Sequence, residues 1–197
     1  MAVHLRRLSP NVISWIALIG AGLTGLFLAL AGILDPTVAL VVAFIALFLS
    51  SLFDALDGKV ARLRGVASPQ GDFLDHTFDR FADVLIFTGI FFSVYAQQWV
   101  VFLGLLGVLL TSYMGTQAQA VGAGRLYGGI LGRADRLVIL LVVILLHLFF
   151  DPTGTRFIGL GPLQFTMMEY ALLVIGVLGT VTIVQRTLET WRRLQSP

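Results

Sequence analysis

Long apolar stretches separated by short polar segments run along the whole chain. Six of them can be distinguished, at about residues 11–34, 37–57, 71–95, 99–121, 134–150 and 163–184. A helix needs about 20 mainly apolar residues to cross the hydrocarbon core of a bilayer. The pattern therefore predicts an all-α fold, that of a polytopic membrane protein with six transmembrane helices.

A short basic segment, MAVHLRRLSP, precedes the first apolar stretch. We expect these residues, 1–10, to lie along the membrane surface as an amphipathic segment. Ser9 and Pro10 are typical of the start of a helix. Because no internal repeat or low-complexity linker divides the sequence, we predict a single domain, 1–197, in which residues 11–191 form the six-helix bundle.

The composition agrees with a membrane protein and excludes several other classes. Hydrophobic residues make up 57% of the chain and charged residues only 12%, and the mean hydropathy is +0.93. An ordinary soluble domain carries about 25% charged residues. Because the chain has no cysteine, disulfides, thiol catalysis and thiolate metal ligands are excluded as well.

The positions of the lysines and arginines predict the orientation in the membrane. With six spans both termini lie on one side, and twelve of the 13 basic residues fall on that side. The exception is Arg156. Because loops rich in Lys and Arg stay in the cytoplasm, we expect a multi-pass protein with both termini in the cytoplasm. A count of five or seven spans would spoil this separation.

Carboxylates cluster where a membrane protein rarely carries them. An ionised side chain inside a bilayer is costly unless it is paired, solvated or bound to a metal. Six aspartates nevertheless lie within or next to the second and third stretches: Asp54, Asp57, Asp72, Asp75, Asp79 and Asp83. The cluster therefore requires a physical reason.

Helical geometry suggests that reason for four of the aspartates. Asp54 and Asp57 are three residues apart and Asp75 and Asp79 are four apart, so each pair shares one helix face. Carboxylates gathered in one volume need protons or cations between them. Oxygen ligands suit Mg²⁺ or Mn²⁺, and we expect such ions at this site.

The neighbouring residues are predicted to have simpler roles. We expect Asp72 to stabilise the start of its helix through the helix dipole. Asp83 is expected to support the site or to pair with Arg80. His76 is expected to serve packing or to lie at the surface, and as a lone histidine it does not favour zinc.

Small residues next to the aspartates indicate room for a ligand. Gly58, Ala61 and Gly71 would let a ligand approach the backbone closely. Arg62 can reach a phosphate. Together with divalent cations, these residues suit a nucleotide diphosphate whose lipid part stays in the bilayer, bound at the cytoplasmic membrane surface.

The complete pattern resembles the signature of the CDP-alcohol phosphatidyltransferase family. It reads Asp54-x2-Asp57-Gly58-x2-Ala61-Arg62-x8-Gly71-x3-Asp75-x3-Asp79, and all eight positions and spacings agree. The resemblance implies an integral-membrane phospholipid synthase. Such an enzyme transfers a phosphatidyl-type group from a CDP-linked lipid (CDP-diacylglycerol or CDP-archaeol) to a small alcohol and releases CMP.

The resemblance also implies roles for individual residues. The four signature aspartates would hold one or two divalent cations per site, and Asp79 would also deprotonate the acceptor hydroxyl as the general base. The nucleotide would be bordered by Gly58, Ala61, Arg62 and Gly71. Members of the family are commonly homodimers, and no nucleic-acid partner is expected.

Polar residues from the end of the fourth stretch onward are candidates for binding the acceptor. They are Gln117, Arg133, Arg136 and Arg186. The arginines could hold an anionic acceptor or could instead anchor the chain against lipid headgroups.

The acceptor pattern departs from the family in one place. Members that use inositol phosphate or glycerol phosphate often carry Ser-Tyr-x-Lys-x-Arg in the fourth span. Here Ser112 and Tyr113 are followed by Gly115 and Gln117 at the two basic positions. Arg136, in contrast, resembles an arginine of the polyol-phosphate members. We therefore expect a polyol or polyol phosphate, such as inositol phosphate or glycerol phosphate.

Two other functions use intramembrane carboxylates. An ion or proton transporter would carry them along its transport path, and a membrane prenyltransferase would use an Asp-rich site for a diphosphate. Neither function explains Gly58, Arg62 and Gly71 at this spacing. Metal-dependent release of CMP from a CDP-lipid distinguishes the three possibilities.

Overall fold

The computed structural model describes residues 10–63, 68–126, 128–160 and 163–195, with side chains described outside residues 10–11, 57–63, 160 and 163. Within these ranges the chain forms six helices and one short hairpin. The elements are α1 (Pro10–Leu30), α2 (Pro36–Leu63), α3 (Pro69–Phe91), α4 (Gln98–Ala120), α5 (Arg133–Phe150), β1 (Ile158–Leu160), β2 (Leu163–Phe165) and α6 (Met167–Gln195). The all-α prediction is confirmed, while the N-terminal segment, residues 1–9, lies outside the described residues.

Four of the described helices are long and apolar enough to cross a membrane. The qualifying segments are Val12–Leu30, Pro36–Leu56, Gln98–Ala120 and Met167–Gln195, in α1, α2, α4 and α6. Helix α3 carries several charged residues, and α5 is only 18 residues long with three charged residues in its first turn. The count of six spans therefore stays a prediction.

The helices pack in two groups. Helix α1 packs against α2 and α3, and α4 packs against α6. Helix α5 connects the groups by packing against both α2 and α6, and α3 contacts α4. The buried core between them is formed by apolar residues of all six helices.

The start of α3 is fixed by its sequence. The hydroxyl of Ser68 accepts a hydrogen bond from the Gly71 amide at 3.2 Å, and Pro69 occupies the first turn. Both are favoured features of a helix N-terminus. Asp72 also lies in the first turn, where the helix dipole stabilises a carboxylate. The aspartates further along α3 thereby obtain a defined position.

The last helix begins later than the apolar pattern predicts. Residues 163–165 form β2, which pairs with β1 in an antiparallel hairpin, and α6 starts at Met167. Thr166 and Glu169 form a reciprocal capping box: the Thr166 amide donates to Glu169 Oε2 at 2.7 Å, and the Glu169 amide donates to Thr166 Oγ1 at 3.1 Å. This pairing satisfies two amides at the helix start and explains why the predicted boundary at 163 is wrong.

Hydrogen bonds close the end of the bundle that carries this hairpin. Glu169 Oε1 accepts from the amide of Gln97 at 2.8 Å, and the Tyr95 hydroxyl donates to the carbonyl of Pro152 at 2.8 Å. His147 Nε2 accepts from the amide of Met168 at 3.1 Å. The loops between α3 and α4 and between α5 and α6 are thus connected through buried polar groups.

Two glycines allow α1 and α3 to cross in backbone contact. A Cβ atom at Gly25 would lie 2.2 Å from the carbonyl oxygen of Leu85, and a Cβ at Gly89 would lie 2.1 Å from the carbonyl oxygen of Gly25. Because the obstacles are backbone atoms, side-chain rotation cannot relieve the overlap. The crossing therefore requires glycine at both positions.

We expect Gly89→Ala to destabilise the protein by about 1–3 kcal/mol, the usual cost of overpacking a core. Gly22→Ala is the matched control on α1, because its nearest contact would be Leu85 Cδ1 at an ordinary 3.8 Å. Thermal unfolding of both variants in detergent measures the difference. Equal melting temperatures for the two variants would contradict the proposed close crossing.

Candidate active site

One arginine joins two of the predicted site aspartates. Arg133, in the first turn of α5, forms an ion pair through Nη1 with Asp54 Oδ2 on α2. The same nitrogen lies 2.6 Å from Asp79 Oδ1 on α3. Three helices that are distant in sequence therefore meet at one partly buried group of charges.

Asp79 also belongs to a compact group on α3. One ligand atom from each of Asp75, His76 and Asp79 lies within 4.8 Å of the others. Asp79 is only 7% exposed, and Arg80 Nη1 donates to its Oδ2 at 3.3 Å. Its other oxygen, Oδ1, accepts no well-aligned hydrogen bond from the described residues, despite the short distance to Arg133. A buried carboxylate oxygen with an open lone pair fits a cation ligand.

Asp54 lies next to this group across a narrow cavity. That cavity is lined by Asp54, Asp75 and Arg133, together with residues of α1 such as Ser14. Oxygen ligands from α2 and α3 thus approach each other, as a site for Mg²⁺ or Mn²⁺ requires. The donor set fits a hard divalent cation.

Several signature residues lie at the junction between α2 and α3. Asp57, Gly58, Ala61 and Arg62 belong to the last turns of α2, where their side chains fall outside the described residues. Gly71 lies in the first turn of α3, four residues before Asp75, with its amide bonded to Ser68. The predicted nucleotide-binding residues therefore flank the aspartates along the chain.

His76 lies beside the predicted site aspartates and lines the pocket next to them. Its Nε2 lies 3.1 Å from Asp72 Oδ1, and its Nδ1 lies 3.8 Å from Asp75 Oδ2. Its side chain is 24% exposed, and the expected packing or surface role stays a prediction. The only sequence signal is the four-residue spacing between Asp72 and His76, which aligns the two side chains on α3.

A second ion pair connects α3 and α5 one turn further along each helix. Arg136 Nη2 donates to Asp83 Oδ2 at 2.5 Å, and both side chains are almost fully buried. The ion pair of Asp83 is thus formed with Arg136, where the sequence suggested Arg80. Removing one member of a buried pair leaves an uncompensated charge, so this pair is a fixed connection between the two helices.

A basic pocket of about 170 Å³ opens beside Asp79 and His76. Its lining includes five arginines: Arg80, Arg125, Arg133, Arg136 and Arg186. Buried Ser112 also lines it, and the Ser112 hydroxyl makes no hydrogen bond with the described residues. An excess of guanidinium groups around an unsatisfied hydroxyl suits an anionic, hydroxylated ligand.

Three of the four predicted acceptor residues line the basic pocket, and the fourth does not. Arg133, Arg136 and Arg186 line the basic pocket, and the burial of Arg136 and Arg186 does not agree with a role as headgroup anchors. Gln117 is exposed and is not part of the lining. It follows Gly115 by two residues, which places it on another face of α4.

Gly115 makes room for Arg186 in the pocket. A Cβ atom at position 115 would lie 2.9 Å from Arg186 Nη1 and 2.9 Å from the carbonyl oxygen of Leu126. Arg186 is held there by the carbonyl of Thr111, to which Nη1 donates at 2.5 Å, and by the carbonyl of Gly128, to which Nε donates at 2.9 Å. A cation from α6 thus occupies the space beside the glycine of α4.

A larger cavity of about 610 Å³ adjoins the basic pocket. The two cavities share Arg125, Leu126 and Arg186 in their linings, and the larger one also borders Arg192 and Arg193 near the end of α6. Positive charge therefore continues from the aspartates toward the end of the bundle.

The helix ends around the site alternate in direction. The site and its pockets involve mainly the N-terminal halves of α1, α3 and α5 and the C-terminal halves of α2, α4 and α6. All the described site residues consequently lie near one end of the bundle, opposite the hairpin.

Two known proteins resemble the chain over about four fifths of its length or more. A phosphatidylinositol phosphate synthase of Cutibacterium acnes is 34% identical, with 96% of this chain and 89% of the relative covered. An archaetidylinositol phosphate synthase of Pyrococcus horikoshii is 31% identical, with 79% and 72% covered.

Solved structures agree with these relatives. The phosphatidylinositol phosphate synthase of Mycobacterium tuberculosis with CDP-DAG bound superposes with a TM-score of 0.73 at 26% identity, covering 96% of this chain and 91% of that one. The same protein in complex with manganese and citrate gives a TM-score of 0.75 at 26% identity, covering 96% and 87%.

The sequence profile described as CDP-alcohol phosphatidyltransferase matches residues 7–183. This match replaces the transporter and prenyltransferase alternatives, and with the apolar helices it indicates an integral membrane protein. The chain belongs to the CDP-alcohol phosphatidyltransferase family and is a transferase of phospholipid biosynthesis.

Proposed function

We propose that the protein transfers the phosphatidyl-type group of a CDP-linked lipid to a polyol phosphate, with inositol phosphate as the preferred acceptor. The observation that carries this proposal is the pocket with five arginines beside Asp79. Guanidinium groups bind phosphate through paired hydrogen bonds. The two relatives from bacteria and archaea, both named as synthases of inositol phosphate lipids, support the same acceptor.

Asp54, Asp57, Asp75 and Asp79 hold the divalent cation, Mg²⁺ or Mn²⁺, in this proposal. The compact donor set on α3 and the open lone pair of Asp79 Oδ1 support the assignment, as does the manganese complex of the Mycobacterium tuberculosis protein. When bound, the cation neutralises the diphosphate and stabilises the charge that develops at phosphorus.

Asp79 is the general base. Its carboxylate accepts the proton of the acceptor hydroxyl, and Arg80 orients that carboxylate through a hydrogen bond of 3.3 Å to Oδ2. The deprotonated oxygen forms a bond to the phosphorus that carries the lipid. The bond from that phosphorus to the oxygen bridging the two phosphates breaks, and CMP leaves with this oxygen.

The donor nucleotide lies at the junction between α2 and α3, bordered by Gly58, Ala61, Arg62 and Gly71. The relatives include synthases named for diacyl-type and archaeal lipids, so both CDP-diacylglycerol and CDP-archaeol are reasonable donors. Arginines of the basic pocket, Arg125 among them, hold the acceptor phosphate on the other side of Asp79.

All six helices cross the membrane in the proposed topology. The alternating helix ends around the site support this count. Both termini and the active site face the cytoplasm, where the basic residues concentrate. A homodimer is the expected assembly for this family.

We expect Asp75→Asn to lower the rate of CMP release at least about 100-fold, since it removes a charged cation ligand where transition-state charge must be stabilised. The fold should survive, because the Asp75 side chain is 40% exposed and forms no arginine ion pair among the described residues. The assay supplies CDP-diacylglycerol, inositol phosphate and Mn²⁺ to purified protein.

Asp35→Asn is the matched control for that substitution. Asp35 Oδ1 caps the amide of Val38 at the opposite end of α2, and asparagine can also cap a helix. Release of CMP by the Asp75 variant at the rate of the Asp35 variant would contradict the assignment of Asp75 to the cation site.

We expect Arg125→Gln to raise KM for inositol phosphate about tenfold, the effect of losing one charge-assisted contact, and to leave KM for the CDP-lipid nearly unchanged. Arg156→Gln, far from the pocket, is the control of equal charge. Mass spectrometry of the lipid formed from inositol phosphate, glycerol phosphate, inositol and serine identifies the acceptor. Preferential use of unphosphorylated inositol would reject the polyol-phosphate proposal.

A further inference from the structure

Arg133 lies between the aspartates of the proposed cation site and the basic pocket proposed for the acceptor. Its Nη1 contacts carboxylate oxygens of Asp54 and Asp79, which belong to different helices. Its side chain also lines the basic pocket proposed for the acceptor. The same guanidinium group can therefore serve the aspartates or the pocket.

A cation held by Asp54 and Asp79 competes with Arg133 for the same two carboxylates. Asp54 Oδ2 and Asp79 Oδ1 both face the single nitrogen Nη1. A guanidinium nitrogen cannot keep these contacts beside a divalent cation, because like charges at such distances repel strongly. Binding of the cation must weaken or displace the contacts of Arg133.

The surrounding contacts allow the side chain to move while the helix stays in place. The buried ion pair between Arg136 and Asp83, 2.5 Å long, ties α5 to α3 one turn further along, and α5 also packs directly against α2. Arg133 Nε makes no hydrogen bond with the described residues. The 170 Å³ pocket on its other side gives the guanidinium room to turn.

We infer that Arg133 is an exchangeable counter-ion that couples the cation site to the acceptor site. The arginine balances Asp54 and Asp79 until a divalent cation takes over these carboxylates. The displaced guanidinium then turns into the basic pocket and adds a positive charge for the phosphate of the acceptor. The inference rests on the proposed function, since it assumes the cation site on the aspartates.

This arrangement predicts positive coupling in both directions. A cation that releases Arg133 strengthens binding of the phosphate, and by linkage the phosphate strengthens binding of the cation to the same degree. The coupling would favour loading of the acceptor after the metal.

The first test measures binding of Mn²⁺ to the purified full-length protein without substrate, by electron paramagnetic resonance of the free ion. We expect Arg133→Gln to bind Mn²⁺ about tenfold more tightly than the wild-type protein, because a competing charge in direct contact is removed. Arg192→Gln, which removes an equal charge from the larger cavity, should change the affinity less than about twofold.

Arg133→Lys provides a second variant that keeps a positive charge on α5. A lysine ammonium lacks the planar fork of arginine, so it should compete less well and give an intermediate Mn²⁺ affinity. If the glutamine variant does not fold, the lysine variant tests whether Arg133 competes with Mn²⁺ for the aspartates. Mn²⁺ binding that is unchanged or weaker in the folded variants would overturn the inference.

The second test measures binding of inositol phosphate by calorimetry with and without Mn²⁺. We expect Mn²⁺ to strengthen binding at least about fivefold in the wild-type protein and to have a much smaller effect in Arg133→Gln. Equal coupling in both proteins would reject the role of Arg133 while leaving the proposed function intact. Failure of the wild-type protein to bind Mn²⁺ at all would instead reject the cation site on which both proposals rest.

Discussion

Balancing negative charge inside an apolar helical bundle is the constraint on which the site depends. Asp54, Asp79 and Asp83 face the interior and would be costly there without counter-charges. The structure provides those charges from α5, through Arg133 and Arg136. Helix α5 is thereby held against α2 and α3 by these ion pairs.

The packing divides into a rigid part and a part that can change. Glycines at the crossing of α1 and α3 bring the two backbones into direct contact, which fixes the helix that presents Asp75 and Asp79. The ion pair of Asp83 and Arg136 is enclosed and well matched in geometry. The contacts of Arg133, in contrast, border cavities on both sides, so this residue has space to exchange partners.

Spacing along the sequence was sufficient to predict the helices and their faces. It was insufficient to predict contacts between residues that are distant in the sequence. The four-residue interval between Asp75 and Asp79 predicts a common helix face, and the hydropathy pattern predicts the helices. The contact of Arg133 with Asp54 joins residues 79 positions apart, and it depends on how α5 approaches α2, which no local pattern encodes. Thr166 and Glu169 do carry a local capping-box signal, and it would have corrected the start of α6.

The network of Tyr95, His147 and Glu169 closes the end of the bundle opposite the aspartates. In the proposed orientation, reactants therefore arrive and CMP departs on the cytoplasmic side. Newly made lipid would enter the inner leaflet alone. Growth of the outer leaflet from this product would then require a separate translocation step.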